Sequence, residues 1–303
     1  MKNHQNAIPW RATLMLLIFL FSFSCGGSSD NEPPPPPPKE EEEEAEVIPP
    51  VVFTAIGDVP YNDEQRTDLI AMVDAHNSKS ESEFIIHVGD FKPGADPCDE
   101  AVYADVSMIL KEFDTPTFVV LGDNEFNDCT NPEQGLDYWN QYFLHFNENW
   151  QFDHSVAYQT ERTENFSWAQ NKVLFIGINL VGSAVHNQDE WDRRLADDAL
   201  WVEQLLEAHK TDTKAAVIFA HANIVNLEPA KFDTFTNRFR ASAAAYDQPI
   251  LFLQGDGHFW FENRPWAEKN ILRVQITGGS EAVQVTVDTS KENPFSFDDT
   301  FLD

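Results

Sequence analysis

The chain has 303 residues, 42% hydrophobic and 13% aromatic, and its 51 acidic against 20 basic side chains give a formal charge of -31. That apolar content is too high for a chain that stays disordered, and the charge opposes binding to long nucleic acids. Three cysteines are too few for a disulfide-dense scaffold.

Lys2 and Arg11 precede an apolar run, Leu14 to Phe23, that reads as the hydrophobic region of a signal peptide and is too short to span a bilayer as a mature helix. Ser24 before Cys25, and Gly26 and Gly27 after it, resemble a bacterial lipoprotein signal whose cysteine is lipidated after cleavage. Residues 1–25 are therefore expected to direct export of a cell-envelope lipoprotein, periplasm-facing or outer-surface, with ordinary secretion as the alternative. Residues 26–50 read as a tether: Pro33 to Pro38 favour an extended rod and Glu40 to Glu44 repel one another. The tether carries -7 and the first 25 residues +2, which leaves -26 on residues 51–303.

Residues 51–303 suit one domain. Runs rich in β-branched and aromatic residues end in Gly-Asp at Val51 to Asp58, Phe84 to Asp90, Thr117 to Asp123 and Pro249 to Asp256, and a fifth, Ala215 to His221, ends in His. Such runs predict strands buried on both faces, with a late strand over Val283 to Val287. Helices are predicted over 63–77, 99–113 and 189–210; the last presents Trp191, Leu195, Leu200, Trp201, Leu205 and Leu206 as an apolar face for a sheet. This alternation is that of an α/β fold.

In open α/β sheets ligands bind beyond the carboxyl ends of strands. Here those ends carry Asp58, Asp90, Asp123, His221 and Asp256, with His258 close behind. One Gly-Asp pair is ordinary turn chemistry, the glycine letting the chain turn sharply; four, each after an apolar run, point to a shared pocket. Carboxylates crowded together raise one another's pKa unless cations lie between them, so metal ions are the economical reading.

The order of these motifs resembles the calcineurin-like metallophosphoesterases over most of residues 51–288. The resemblance implies a two-sheet β sandwich flanked by helices, with metals at one edge. It also implies hydrolysis of a small phosphoester, monoester or diester, by two divalent ions drawn from Mn, Fe, Zn, Mg or Ca. By the same resemblance Asp58 and His258 hold one ion, Asp90 bridges, and Asp123 or Asn124, His221 and Asp256 hold the other. Gly122-Asp123-Asn124-Glu125 permits two registers: Asp123 as ligand with Asn124 beside the substrate, or a one-residue slip that makes Asn124 the ligand. Asn124, Lys92 and His221 are the catalytic candidates, Asn124 as a donor to the transition state and Lys92 as a contact to phosphate or else a solvent-facing loop residue.

The departures from the family pattern are Pro60, Asn124 and Asp256 in place of histidines, with Tyr61 beside Pro60 as a substitute ligand. They enrich the donor set in oxygen and lean it toward Mn, Mg or Ca. GDVPY (57–61), HVGDFKPG (87–94) and LGDNEFNDC (121–129) resemble a bacterial exported subgroup with the same substitutions, which implies an altered active site. The alternative is a non-catalytic, cation-binding surface lipoprotein on an inherited fold. His87 is expected to be packed behind the ligands, His145, His154, His186 and His209 to lie at the surface, and Asn187 or Arg193 to line the cleft. Cys98 and Cys129 follow the second and third strand-end motifs and are expected to pair in an oxidising compartment. The expected partners are a small phosphoester and a membrane through lipid on Cys25, without long nucleic acid.

Overall fold

The first apolar run forms β1 (Val51–Ile56), and the two-residue period of a strand divides its side chains: Val51, Phe53 and Ala55 face one layer and Ile56 the opposite one. The structure is a computed structural model that describes residues 47–303. The predicted signal segment, Cys25 and the tether up to residue 46 lie outside the described residues. Among the described residues no helix is long and apolar enough to cross a membrane.

After β1 come α1 (Asp63–Lys79), β2 (Phe84–His87), α2 (Glu100–Leu110), β3 (Thr117–Val119) and α3 (Pro132–Phe143). Then follow β4 (Ala157–Tyr158), β5 (Phe166–Gln170), β6 (Val173–Gly177), α4 (Gln188–Ala208), β7 (Ala215–Phe219) and α5 (Asp233–Tyr246). The chain ends with β8 (Ile250–Gln254), β9 (Phe261–Asn263), β10 (Ile271–Gln275), β11 (Val283–Val287) and β12 (Phe295–Asp298). One sheet has the order β12-β11-β1-β2-β3 and the other β4-β5-β6-β7-β8-β10-β9. Strands β1, β2 and β3 run parallel, as do β6, β7, β8 and β10, so carboxyl ends gather along one edge of each sheet.

The inner faces of the two sheets meet in an aromatic core. Phe53 stacks on Phe84 at 4.8 Å between centroids, and Trp168 stands edge-on to Phe84 at 4.9 Å and stacks on Phe175 at the same distance. Each such ring, fully buried, contributes roughly 1.5–3 kcal/mol through area removed from water. The outer face of the first sheet is covered by α1, α2 and α3, and that of the second by α4 and α5. The result is the predicted sandwich flanked by helices.

The predicted strands end two to four residues before their Asp or His, so each candidate site residue stands in a loop just beyond a strand. Helices α3 and α5 were not among the predicted elements. Gly135 inside α3 weakens the helical signal; a Cβ there would lie 2.6 Å from Cys129 Sγ, so packing fixes the residue.

Candidate metal centre

Four residues at the strand ends adopt left-handed backbone: Asp58 (φ 54°), Asp90 (φ 60°), Asp256 (φ 75°) and His258 (φ 56°). This region is disfavoured for residues with a Cβ, and its use concentrates at functional sites where packing enforces it. The sharp turn expected of the glycines therefore falls mainly to the aspartates; only Gly89, at φ 91°, shares it. The other glycines supply clearance. A Cβ on Gly122 would lie 2.2 Å from Asp90 N and Oδ1, and one on Gly255 would lie 2.6 Å from Asp58 Oδ2.

These turns bring the carboxylates of the first sheet against the His and Asp of the second. Asp90 faces two ways. Its Oδ1 accepts from the Asn124 N–H at 3.0 Å and lies 3.3 Å from His221 Nε2, while Oδ2 accepts from the Tyr61 hydroxyl at 2.9 Å. Asp123 Oδ1 lies 3.0 Å from His221 Nε2, and His258 Nε2 lies 3.3 Å from Asp58 Oδ1. Donor atoms of Asp58, Asp90 and His221, and again those of Asp123, His221 and Asp256, fall within 4.8 Å of one another. Asp256 is held by the Asn223 N–H at its Oδ2, and its own N–H donates to Asp58 Oδ1.

His221 Nδ1 donates to the Val88 carbonyl at 2.8 Å; a carbonyl only accepts, so the ring presents Nε2 to the carboxylates. Asp58 Oδ2, Asp123 Oδ1 and His221 Nε2 are buried without a well-aligned hydrogen-bond partner. Buried polar atoms left this way cost free energy unless something else binds them, and three of them aimed into one acidic pocket fit divalent cations. The titration of the group agrees. Burial raises Asp58, and it raises Asp256 to about 6. Burial alone would lower His221, but Asp90 and Asp123 hold it well above the ordinary imidazole value. Asp90 stays below its usual range because His221 and the bonds from Asn124 and Tyr61 outweigh its burial.

The six predicted ligands Asp58, Asp90, Asp123, His221, Asp256 and His258 thus converge. Asn124 does not join them: its amide Nδ2 donates to Lys92 O at 2.9 Å and to Tyr61 Oη at 3.1 Å, and its Oδ1, the atom that would bind a metal, lies on the Gly94 side, 2.6 Å from where a Cβ on that glycine would stand. The register without a slip is the one the structure adopts, and both Asn124 amide protons are committed within the protein. Lys92 is not the solvent-facing loop residue. It is 2% exposed, and Nζ donates to the carbonyls of Pro93 and Asn124, pinning the loop. With Nδ1 held by the Val88 carbonyl and the unpartnered Nε2 turned to the Asp90 and Asp123 carboxylates, His221 fits a ligand and not a free acid or base. Asn187 caps α4 through the Glu190 N–H, and Arg193 bonds to Asp189 O, so neither lines the cleft. His87 is packed behind the ligands as expected, with Nε2 on Val59 O, and burial lowers it to about 4.

Sequence reasoning left Glu125 unassigned. Its buried Oε1 accepts from the N–H groups of Asp90 and Gly122, tying two metal-site loops together. It also missed a buried layer behind Asp256, where Arg273 donates to Gln254, Asn223 and Asn226. Polar residues inside the apolar strands β8 and β10 are the signal that marks this layer. Cys98 and Cys129 stand at disulfide distance, Cα atoms 5.6 Å apart, with both sulfurs against the Asn124 carbonyl. An open cleft of about 430 Å³, lined by Asp123, Asn223, Asn226, Lys231 and Asp256 among others, leads to the ligands.

Residues 51–265 match the calcineurin-like phosphoesterase family. Among solved structures the chain is similar to a dimetal phosphatase from Danio rerio, at 10% identity and TM-score 0.50, covering 80% of this chain and 96% of that one. It is also similar to GAP50, the anchor in the inner membrane complex of Plasmodium, at 11% identity and TM-score 0.49 over 82% of this chain and 88% of that one. A 5'-nucleotidase from Candida albicans is similar at 10% identity and TM-score 0.48 over 82% of this chain and 50% of that one. No curated protein sequence matches the chain.

Proposed function

Because this chain belongs to the calcineurin-like phosphoesterase family, we propose that it hydrolyses a small phosphoester with two divalent metal ions. Asp58, Asp90 and His258 would hold one ion, and Asp90, Asp123, His221 and Asp256 the other. The observation that carries this reading is Asp90, whose Oδ1 faces His221 and whose Oδ2 faces the Asp58 and Tyr61 side. When bound, the ions supply neutralisation of charge on the phosphoryl oxygens and a water made nucleophilic near neutral pH.

The chain's own residues prepare that chemistry. The Val88 carbonyl fixes the His221 ring, and the Asn124 N–H fixes Asp90. Lys92 and Glu125 hold the loops that carry Asp90 and Asp123. Substrate would enter by the cleft, where Asn226 and Lys231 offer polar contacts to the leaving group. Among the described residues no candidate acid stands in place of the family's histidine at 124, which favours esters with good leaving groups. The test is hydrolysis of chromogenic phosphomonoesters and phosphodiesters with added Mn²⁺. Turnover should be lost in Asp90→Asn, and no turnover by a folded, metal-loaded protein would reject the enzyme reading.

A second reading, cation binding without turnover, draws on the committed Asn124 amide and predicts metal binding with no hydrolysis. For location, we propose export and lipid attachment at Cys25, supported by the flanking small residues and by a cysteine pair suited to an oxidising compartment. Mass spectrometry of the membrane-fraction protein tests it: a free amino terminus without lipid on Cys25 would reject it.

A further inference from the structure

The side of Asp90 that faces Asp58 lacks the donor that Pro60 removes, and Tyr61 fills its place. The phenolic oxygen lies 2.9 Å from Asp90 Oδ2, 3.2 Å from His258 Nε2 and 3.4 Å from Asp58 Oδ1. His258 Nε2 and Asp58 Oδ1 are themselves 3.3 Å apart. Donors about 2.0–2.2 Å from one ion stand roughly 2.8–3.6 Å apart at octahedral or tetrahedral angles. All four of these separations fall in that range, which places the phenolic oxygen at shell spacing from a donor atom of each of the three residues.

A second contact orients the oxygen. The Asn124 amide nitrogen donates to it at 3.1 Å, and that amide cannot be turned around, because its other proton is on the Lys92 carbonyl. The Tyr61 oxygen is therefore an acceptor toward Asn124, and its own proton points toward Asp90. The ring stands edge-on to His258, centroids 5.2 Å apart, which sets the direction of both side chains.

We propose that Tyr61 is a ligand of the ion held by Asp58, Asp90 and His258, with Asn124 as its positioning residue. On coordination the O–H bond breaks, the oxygen keeps the electron pair for the metal, and the proton passes to solvent. This makes the site harder and more anionic than one completed by imidazole. Asn124, in the place of a family histidine, then serves the metal shell and not the leaving group. The inference rests on the two-metal reading above.

The test uses the full-length chain and Tyr61→Phe, which keeps the ring. Each is titrated with Zn(II) and separately with Fe(III), following phenolate absorption in the ultraviolet and phenolate-to-iron charge transfer in the visible. The wild type should ionise one phenol per chain on binding metal and show the visible band with Fe(III). Tyr61→Phe should show neither signal, and should lose affinity for one of its two ions by roughly 10–100-fold, the least expected from the cost of altering a metal shell. A wild type that binds two ions without phenolate signal, or a signal that persists in Tyr61→Phe, would overturn the Tyr61 assignment and leave the two-metal reading standing. A folded wild type that binds no metal would overturn both.

Discussion

Glu125→Gln is expected to change how stability depends on pH. Glu125 is fully buried, its Oε1 accepts two backbone N–H groups, and its Oε2 has no partner. Burial first, and the Asp90 charge second, push its pKa from 4.5 up to about 8. An acid raised in this way keeps a proton in the folded state where the unfolded chain has lost it. The folded protein therefore loses stability as pH rises from the unfolded value of 4.5 toward about 8. At about 1.4 kcal/mol per unit of pKa, the full window costs up to about 5 kcal/mol. Gln keeps the two accepted bonds through its own Oε1 and does not titrate. Urea denaturation of metal-free protein across this pH window should thus show Glu125→Gln gaining on the wild type steadily, by several kcal/mol at the alkaline end. Added divalent cations should shrink the gap, because they favour the charged carboxylate. A difference that stays flat with pH would refute the reasoning. Glu125→Ala, which leaves two buried amides unpaired, should be destabilised at every pH by roughly 2–6 kcal/mol.

Asp90→Asn should bind at most one ion where the wild type binds two, counted by elemental analysis after desalting, and its hydrolytic rate should fall at least about 100-fold. Lys92→Met should lower stability by roughly 2–4 kcal/mol, since it removes two charge-assisted hydrogen bonds to carbonyls, with KM nearly unchanged in the folded fraction. A large rise in KM would instead restore Lys92 as a substrate contact. Replacing Cys98 and Cys129 together by Ser opens a loop spanning 31 positions and should cost about 3–4 kcal/mol in thermal or urea unfolding.

The site was legible in the sequence where chemistry and strand ends coincide. Asp58, Asp90, Asp123, His221 and Asp256 each follow an apolar run, and parallel strands gather those ends at one edge. What the sequence hid is orientation. Lys92 follows Asp90 by two residues, yet its ammonium turns inward to two carbonyls, a choice made by the fold of the Pro93 and Asn124 loops. The register at 122–125 was ambiguous because Asp and Asn are both ligands; the Asn124 amide turns its Nδ2 to the Lys92 carbonyl and its Oδ1 to the Gly94 side, and Asp123 is the one that faces His221. The turning role assigned to glycine passed to Asp58, Asp90 and Asp256, since a crowded strand end limits Gly57, Gly122 and Gly255 to clearance. Helix α5 carried an apolar stripe of Phe235, Phe239, Ala243 and Tyr246 that the strand motifs overshadowed.

The central claim is a centre of two ions bridged by Asp90. Anomalous diffraction from crystals grown with Mn²⁺ tests it most directly. The account predicts two peaks flanking the Asp90 carboxylate, one beside Asp58, His258 and Tyr61, the other beside Asp123, His221 and Asp256. A map with no peak there, or with a single peak that Asp90 does not touch, would contradict it.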